Sequence, residues 1–263
     1  MMSKEYFFIA GFPRSGETLL STILNQNPAF HSGPESPVCN LVSNVYDTLR
    51  TNEQQILYPK VDSFKYIARG IIDGYYSDVN KKYVFDKCRV WNSTFNINYI
   101  LDAINPDIKI VCCVRSIVEI LTSYICLIEK SKNSFVDVYL SRQGLEVNNL
   151  NRCEWLMQKE GLIDLVLNCM KESYKLDCIH LVEYDDLVLD TEKTISNLYR
   201  FLDLPEYQHR YKNLENKFSP RDDLLGLPDL HYVRNTVEKT SRNPCDVLPS
   251  SIIEKYKDME FWR

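Results

Sequence analysis

The chain has 263 residues, 44% of them hydrophobic, which is enough for one sizeable buried core. Its net charge of −5 argues against a general nucleic-acid or anionic-membrane binder, although a local basic cleft is compatible with it. No repeat, low-complexity linker or long charge run divides the chain, so residues 1–263 are expected to form a single domain.

The first element is the apolar run Tyr6-Phe7-Phe8-Ile9-Ala10, which has the content of a buried strand, predicted over 5–11. Leu19, Leu20, Ile23 and Leu24 follow at helical spacing and predict a helix over 17–26. Between them lies Gly11-Phe12-Pro13-Arg14-Ser15-Gly16-Glu17-Thr18. A strand, a glycine-bounded loop and a helix aim several backbone N–H groups and a helix N-terminus at one spot, a ready site for phosphate. The spacing of Gly11, Gly16 and Thr18 is that of a nucleotide-triphosphate P-loop, except that Glu17 stands where the lysine should follow the second glycine. A carboxylate cannot neutralise a β/γ-phosphate, so ATP or GTP chemistry is disfavoured. The cation sits inside the loop instead, as Arg14. Glu17 suits the helix dipole, yet beside an anionic ligand it must point away or weaken binding.

Further helices are predicted over 36–50, 63–78, 93–104, 116–130, 146–174, 191–202 and 249–258, and strands over 82–87, 108–114 and 178–183. This alternation implies an α/β fold, with a P-loop-like central parallel sheet, helices on both faces and ligands at the carboxyl ends of the strands. Glu35, read alone, is a solvated loop carboxylate or a cap before the helix at 36. The strand 82–87 ends in Lys87. The strand 108–114 ends at Arg115, and Ser123, eight residues on, lies about two turns into the next helix. A guanidinium with a hydroxyl suits a phosphate monoester. The tyrosine-rich stretch 66–83 and the helix with Trp155 and Met157 read as core or as the wall of an acceptor pocket.

Pro13-Arg14-Ser15-Gly16-Glu17-Thr18 resembles the 5′-phosphosulfate loop of the sulfotransferases, Pro-Arg/Lys-Ser-Gly-Thr-Thr, which use 3′-phosphoadenosine 5′-phosphosulfate (PAPS). Glu17 departs from that pattern, where a hydroxyl usually sits. The resemblance implies that these six residues, Thr18 through its hydroxyl, hold the 5′-phosphate, and that Arg115 and Ser123 hold the 3′-phosphate. The stretch Asn27–Val38 is similar to the tyrosylprotein branch, with Glu35 at the same distance from Arg14 as that branch's catalytic glutamate. Pro37 replaces an arginine thought to read acidic peptides there. Glu35 is therefore expected as the general base, with His31 as the rival, and Arg14 and Lys87 as catalytic cations that also keep Glu35 ionised. Cytosolic small-molecule members have Lys-Thr-His where this chain has Lys87-Cys88-Arg89, so their histidine base is absent. Val182-Glu183-Tyr184-Asp185-Asp186-Leu187 resembles a late family motif whose tyrosine, here Tyr184, lies near the nucleotide. Leu230–Arg234 and Glu238–Arg242, with Thr240 and Arg242, resemble the C-terminal loop, about 220–245, that folds over PAPS.

What the resemblance implies is transfer of a sulfuryl group from PAPS, without a metal, to an acceptor hydroxyl on a peptide tyrosine, a sugar or a small alcohol. A homodimer is compatible with it. Two other classes are open. A divergent P-loop kinase calls for an aspartate at the end of the 108–114 strand, where Arg115 stands; a non-catalytic nucleotide- or partner-binding protein finds its hint in Glu17. Nine cysteines form an odd set with no Cys-x-x-Cys pair, which argues for a reducing cytoplasm and against zinc. The apolar run before Gly11 is too short for a signal peptide, and nothing approaches a membrane span.

Overall fold

In a computed structural model that describes every residue except Met1, Met2, Val61, Lys132 and Ser241, five strands form one sheet. They are β1 (Glu5–Gly11), β2 (Phe30–Glu35), β3 (Tyr83–Lys87), β4 (Ile110–Val114) and β5 (Ile179–Glu183). All pairs are parallel, in the order β2-β3-β1-β4-β5. Ser241 of the C-terminal motif lies outside the described residues.

The helices are α1 (Glu17–Leu24), α2 (Val38–Thr51), α3 (Glu53–Leu57), α4 (Ser63–Tyr75), α5 (Asp102–Ile104) and α6 (Ile117–Ile128). Then come α7 (Phe135–Arg142), α8 (Asn149–Leu156), α9 (Leu162–Ser173), α10 (Tyr184–Leu189), α11 (Thr191–Leu202) and α12 (Ser250–Tyr256). Strand alternation sorts them into two layers. Tyr6, Phe8 and Ala10 of β1 join Ile110, Cys112 and Val114 of β4 in one apolar cluster, with α2, α4, α6, α8, α9 and α12. Phe7, Ile9, Val111 and Cys113 point the other way, onto α1, α10 and α11. Because both faces are covered, β1 from Tyr6 to Ala10 and all of β4 are apolar at successive positions rather than at alternate ones. The expected α/β architecture is the one observed.

The elements depart from the expected ones in four places, two of them for evident local reasons. β2 was not among the expected strands: it pairs only with β3, its register shifts between Ser32 and Glu35, and it contains Gly33 and Pro34. An edge strand tolerates such residues, so its sequence carries little strand signal. The helix expected over 146–174 is two helices, because Glu160 adopts φ 61° and the chain turns at Gly161. A Cβ on Gly161 would lie 2.8 Å from the carbonyl oxygen of Gln158. The segment expected to be helical over 93–104 contains a π-helix at Asn96–Leu101 before α5. The short helices α3, α7 and α10 were not expected.

The ends of β1, β3 and β4 carry the site, and two devices hold them. Gly11 has φ 130°, and a Cβ there would lie 2.1 Å from the carbonyl oxygen of Cys113. Glycine alone lets the loop after β1 pass this close to β4. Beneath the end of β3, Asp86 is fully buried and accepts hydrogen bonds from Ser36 Oγ at 2.6 Å, Tyr76 Oη at 2.7 Å and Trp91 Nε1 at 2.7 Å. Burial raises its pKa, and these three donors oppose the rise. Asp86 thereby fixes the start of α2 and the end of α4 against the strand that ends in Lys87.

Candidate active site

A cleft of about 440 Å³ opens above the carboxyl ends of β1 and β4, where the strand order reverses. Its floor is the loop after β1. There Phe12 N–H donates to the carbonyl of Cys113 at 3.0 Å, and Gly16, at φ 94°, turns the chain into α1. A Cβ on Gly16 would sit 3.1 Å from the Tyr184 ring, so Tyr184 packs directly on the loop. Arg14 takes a left-handed conformation, φ 65°, that aims its side chain along the cleft. Its Nε donates to Ser123 Oγ at 3.1 Å, and its terminal nitrogen donates to the carbonyl of Leu230.

Arg115, buried at the end of β4, is the opposite wall. It donates to the carbonyl of Arg14 at 3.1 Å and to Glu119 Oε2 at 3.2 Å, and its guanidinium lies 3.9 Å from the centre of the Tyr184 ring. Two backbone segments, one guanidinium and one aromatic ring are thus locked together. Pro13, Gly16, Glu17, Thr18, Ser123, Tyr184, Thr240 and Arg242 all line this same cleft. Its roof is drawn from the residues between Asp229 and Thr240 together with Arg242, held by a bridge between Lys212 and Thr236 and by the Leu214 N–H bond to Asn235. Ser15 is buried beneath the loop, with its hydroxyl donated back to the carbonyl of Phe12.

The charges of the lining favour an anion. Arg14, Arg89, Arg115, Lys130, Arg234 and Arg242 face Glu17, Glu119, Asp229 and Glu238, a local excess of two positive charges in a chain of net charge −5. Among the described residues, no group of three His, Cys, Asp or Glu side chains could hold a metal ion. No helix there is long and apolar enough to cross a membrane.

Glu17 does not point to solvent. It is buried, with Oε2 3.9 Å from Arg89 Nε and Oε1 without a hydrogen-bond partner. Burial pushes its pKa up, and Arg89 and Lys87 pull it back. The cation on Glu35 is likewise not the expected Arg14 or Lys87. Arg89 reaches Glu35 at 3.0 Å, so one guanidinium serves two carboxylates. Burial opposes the charge of Arg89, but Glu17 and Glu35 raise its pKa overall. Arg89 is the site residue without a signal in the sequence, where it stands only in place of a histidine.

Lys87 is buried at the end of β3, in register with Glu35 of β2. It faces a smaller pocket of about 60 Å³ shared with Thr18, Gly33, Pro34, Phe218 and His231. Glu35, its side chain 41% exposed, lines neither cavity. His31, the rival base, packs its ring on Tyr76 and Phe218, and burial lowers its pKa.

The floor and walls of this cleft, from Pro13 to Tyr184, lie within residues 7–209, the region that a sulfotransferase family profile matches, whereas its roof lies beyond them. The chain belongs to the sulfotransferase family. No curated protein matches it significantly in sequence. Among solved structures, a mouse sulfotransferase in complex with PAP is similar, with a TM-score of 0.57 and 10% identity, over 98% of this chain and 84% of that one. A retinol dehydratase in complex with androsterone and the inactive cofactor PAP gives a TM-score of 0.50 at 13% identity, over 97% and 79%. At such identities the likeness concerns the fold.

Proposed function

We propose that this protein transfers a sulfuryl group from PAPS to an acceptor hydroxyl. The observation that carries this reading is the convergence of Arg14, Thr18, Arg115, Ser123, Tyr184, Thr240 and Arg242 on one cleft. PAPS fits the donor set: two separated phosphates call for two separated anion sites, and the loop at 13–18 and the Arg115–Ser123 wall are two. The N-terminus of α1 and Thr18 hold the 5′-phosphate. Arg115 and Ser123 hold the 3′-phosphate, and Arg14, already on Ser123, adds charge to that wall. Tyr184 orients Arg115 from below, and Thr240 and Arg242 close the roof.

PAPS supplies the group that moves. The protein supplies positive charge where negative charge grows on the transferring and leaving oxygens. Lys87 and the backbone N–H groups at the start of α1 serve that purpose, and positioning dominates as it does in phosphoryl transfer. By its spacing from Arg14, the tyrosylprotein-like reading nominates Glu35 as the proton acceptor. The acceptor enters beside β2, past Lys87. The test is calorimetry with PAP and with AMP. PAP is expected to bind far more tightly, and equal affinity would sink the proposal.

A further inference from the structure

Two residues line both the nucleotide cleft and the small pocket of Lys87: Thr18 and His231. Thr18 belongs to the phosphate loop. His231 comes from the C-terminal segment, beyond the residues of the family match. Its ring is held. Nδ1 lies 2.6 Å from Asp222 Oδ1, and the other oxygen of Asp222 accepts the backbone N–H of His231 at 2.9 Å. The Asp222 side chain is only 12% exposed, against 33% for the imidazole. A shielded carboxylate that takes Nδ1–H fixes the tautomer and leaves the Nε2 lone pair free to accept a proton.

The other candidate bases are placed differently. Glu35 is paired with Arg89 at 3.0 Å and lines neither cavity. His31 packs on two aromatic rings, His180 stacks on Phe201, and His209 is bonded to Tyr199 at 2.9 Å. Of the four histidines, only His231 lines the cleft or the Lys87 pocket.

We infer that His231, oriented by Asp222, is the catalytic base that takes the acceptor's proton. The inference rests on the sulfuryl-transfer reading and replaces Glu35 in that role. As the acceptor oxygen forms its bond to sulfur, the hydroxyl proton passes to His231 Nε2. The bond from sulfur to the bridging oxygen of the 5′-phosphate breaks, and its electron pair leaves with PAP. The imidazolium, paired with Asp222, then returns the proton to solvent. Asp222 is a positioning residue, and Glu35 stays paired with Arg89.

The experiment measures PAP release from PAPS with four acceptors: 2-naphthol, 1-octanol, N-acetylglucosamine and an acidic tyrosine peptide. Wild type, His231→Ala, Asp222→Asn and Glu35→Gln are compared, with PAP affinity as the check on folding. His231→Ala is expected to lose about a hundredfold or more in kcat, bind PAP within about threefold of wild type, and recover in part when imidazole is added. Asp222→Asn is expected to lose about tenfold or more in kcat at unchanged KM for PAPS. Retention of turnover in His231→Ala, or its loss without recovery in imidazole, overturns the assignment. If wild type turns over PAPS with none of the four acceptors, the sulfuryl-transfer reading fails and the base falls with it.

Discussion

The two halves of the site are built by different means. On the nucleotide side, Arg115 and Ser123 belong to one strand–helix unit, and Arg14 meets them from the loop after β1. Arg14 and Arg115 follow the ends of two central, doubly covered strands, and Ser123 lies on the helix after the second. On the acceptor side, Glu35 sits on an edge strand with a register shift, Glu17 and Glu35 share the single cation Arg89, and His231 hangs on an irregular segment. The first half is set by topology and is ready for an anion. The second is set by long-range charge pairing, which a substitution can rearrange without touching the sheet.

The largest expected effect strikes what both halves stand on. Asp86→Ala would strand three buried donors, on Ser36, Tyr76 and Trp91. At about 1 kcal/mol or more for each unsatisfied group, the variant should lose roughly 3 kcal/mol of stability, read from the urea midpoint. A change under about 1 kcal/mol would mean that the strand end is held by packing alone. Next comes Arg115→Ala. A charge-assisted phosphate contact contributes about 1.5–3 kcal/mol, so PAP affinity should fall roughly ten- to a hundredfold while AMP affinity changes little. Equal losses for both nucleotides would erase the distinction between two phosphate sites.

That contrast also decides what the sequence reveals. Arg115 and Ser123 are close in the chain and stand at the end of an unmistakable apolar strand, so local spacing places both. The loop at 11–18 is legible for the same reason, and so is the α/β architecture, since doubly buried strands announce themselves as apolar runs. β2 is not legible, because an edge strand bearing Gly33 and Pro34 lacks that run. Nor is the inward turn of Glu17, since its partner Arg89 lies on another strand end and no pattern of spacing links them. Asp222 and His231 are joined through a short 3-10 turn at Asp222–Leu225 and the left-handed Gly226, whose Cβ would sit 2.1 Å from the carbonyl oxygen of Asn133. That close approach of Gly226 to Asn133 is a contact between distant parts of the chain, which no local spacing announces.

A smaller effect probes the acceptor side through its charges. Glu17→Thr removes a buried carboxylate from beside an anion site and releases Arg89 from one of its two partners. PAP should bind roughly three- to tenfold more tightly, about 1 kcal/mol, from the lost like-charge repulsion. Weaker binding by a folded Glu17→Thr would show that Glu17 orients Arg89 in a way the nucleotide needs.

The last effect is the smallest, and its sign follows from the burial of Glu17. Burial raises the pKa of Glu17 above the ordinary carboxylate value of 4.5, so the folded protein holds this proton where the unfolded chain has lost it. The contribution of Glu17 to stability is therefore full below the unfolded pKa and declines as pH rises through the folded one. A carboxylate stabilised by a salt bridge behaves in the opposite sense. An anion in the cleft disfavours ionised Glu17 further, so PAP binding should draw a proton onto the protein within that window. Calorimetry in two buffers of different ionisation enthalpy reads this as proton uptake, a fraction of one proton per PAP bound. Because the phosphates of PAP also titrate, the decisive quantity is the difference between wild type and Glu17→Gln. The uptake should shrink in the variant, and identical uptake in both proteins would place the nucleotide's charge out of reach of Glu17 and leave Arg89 as the screen between the two halves.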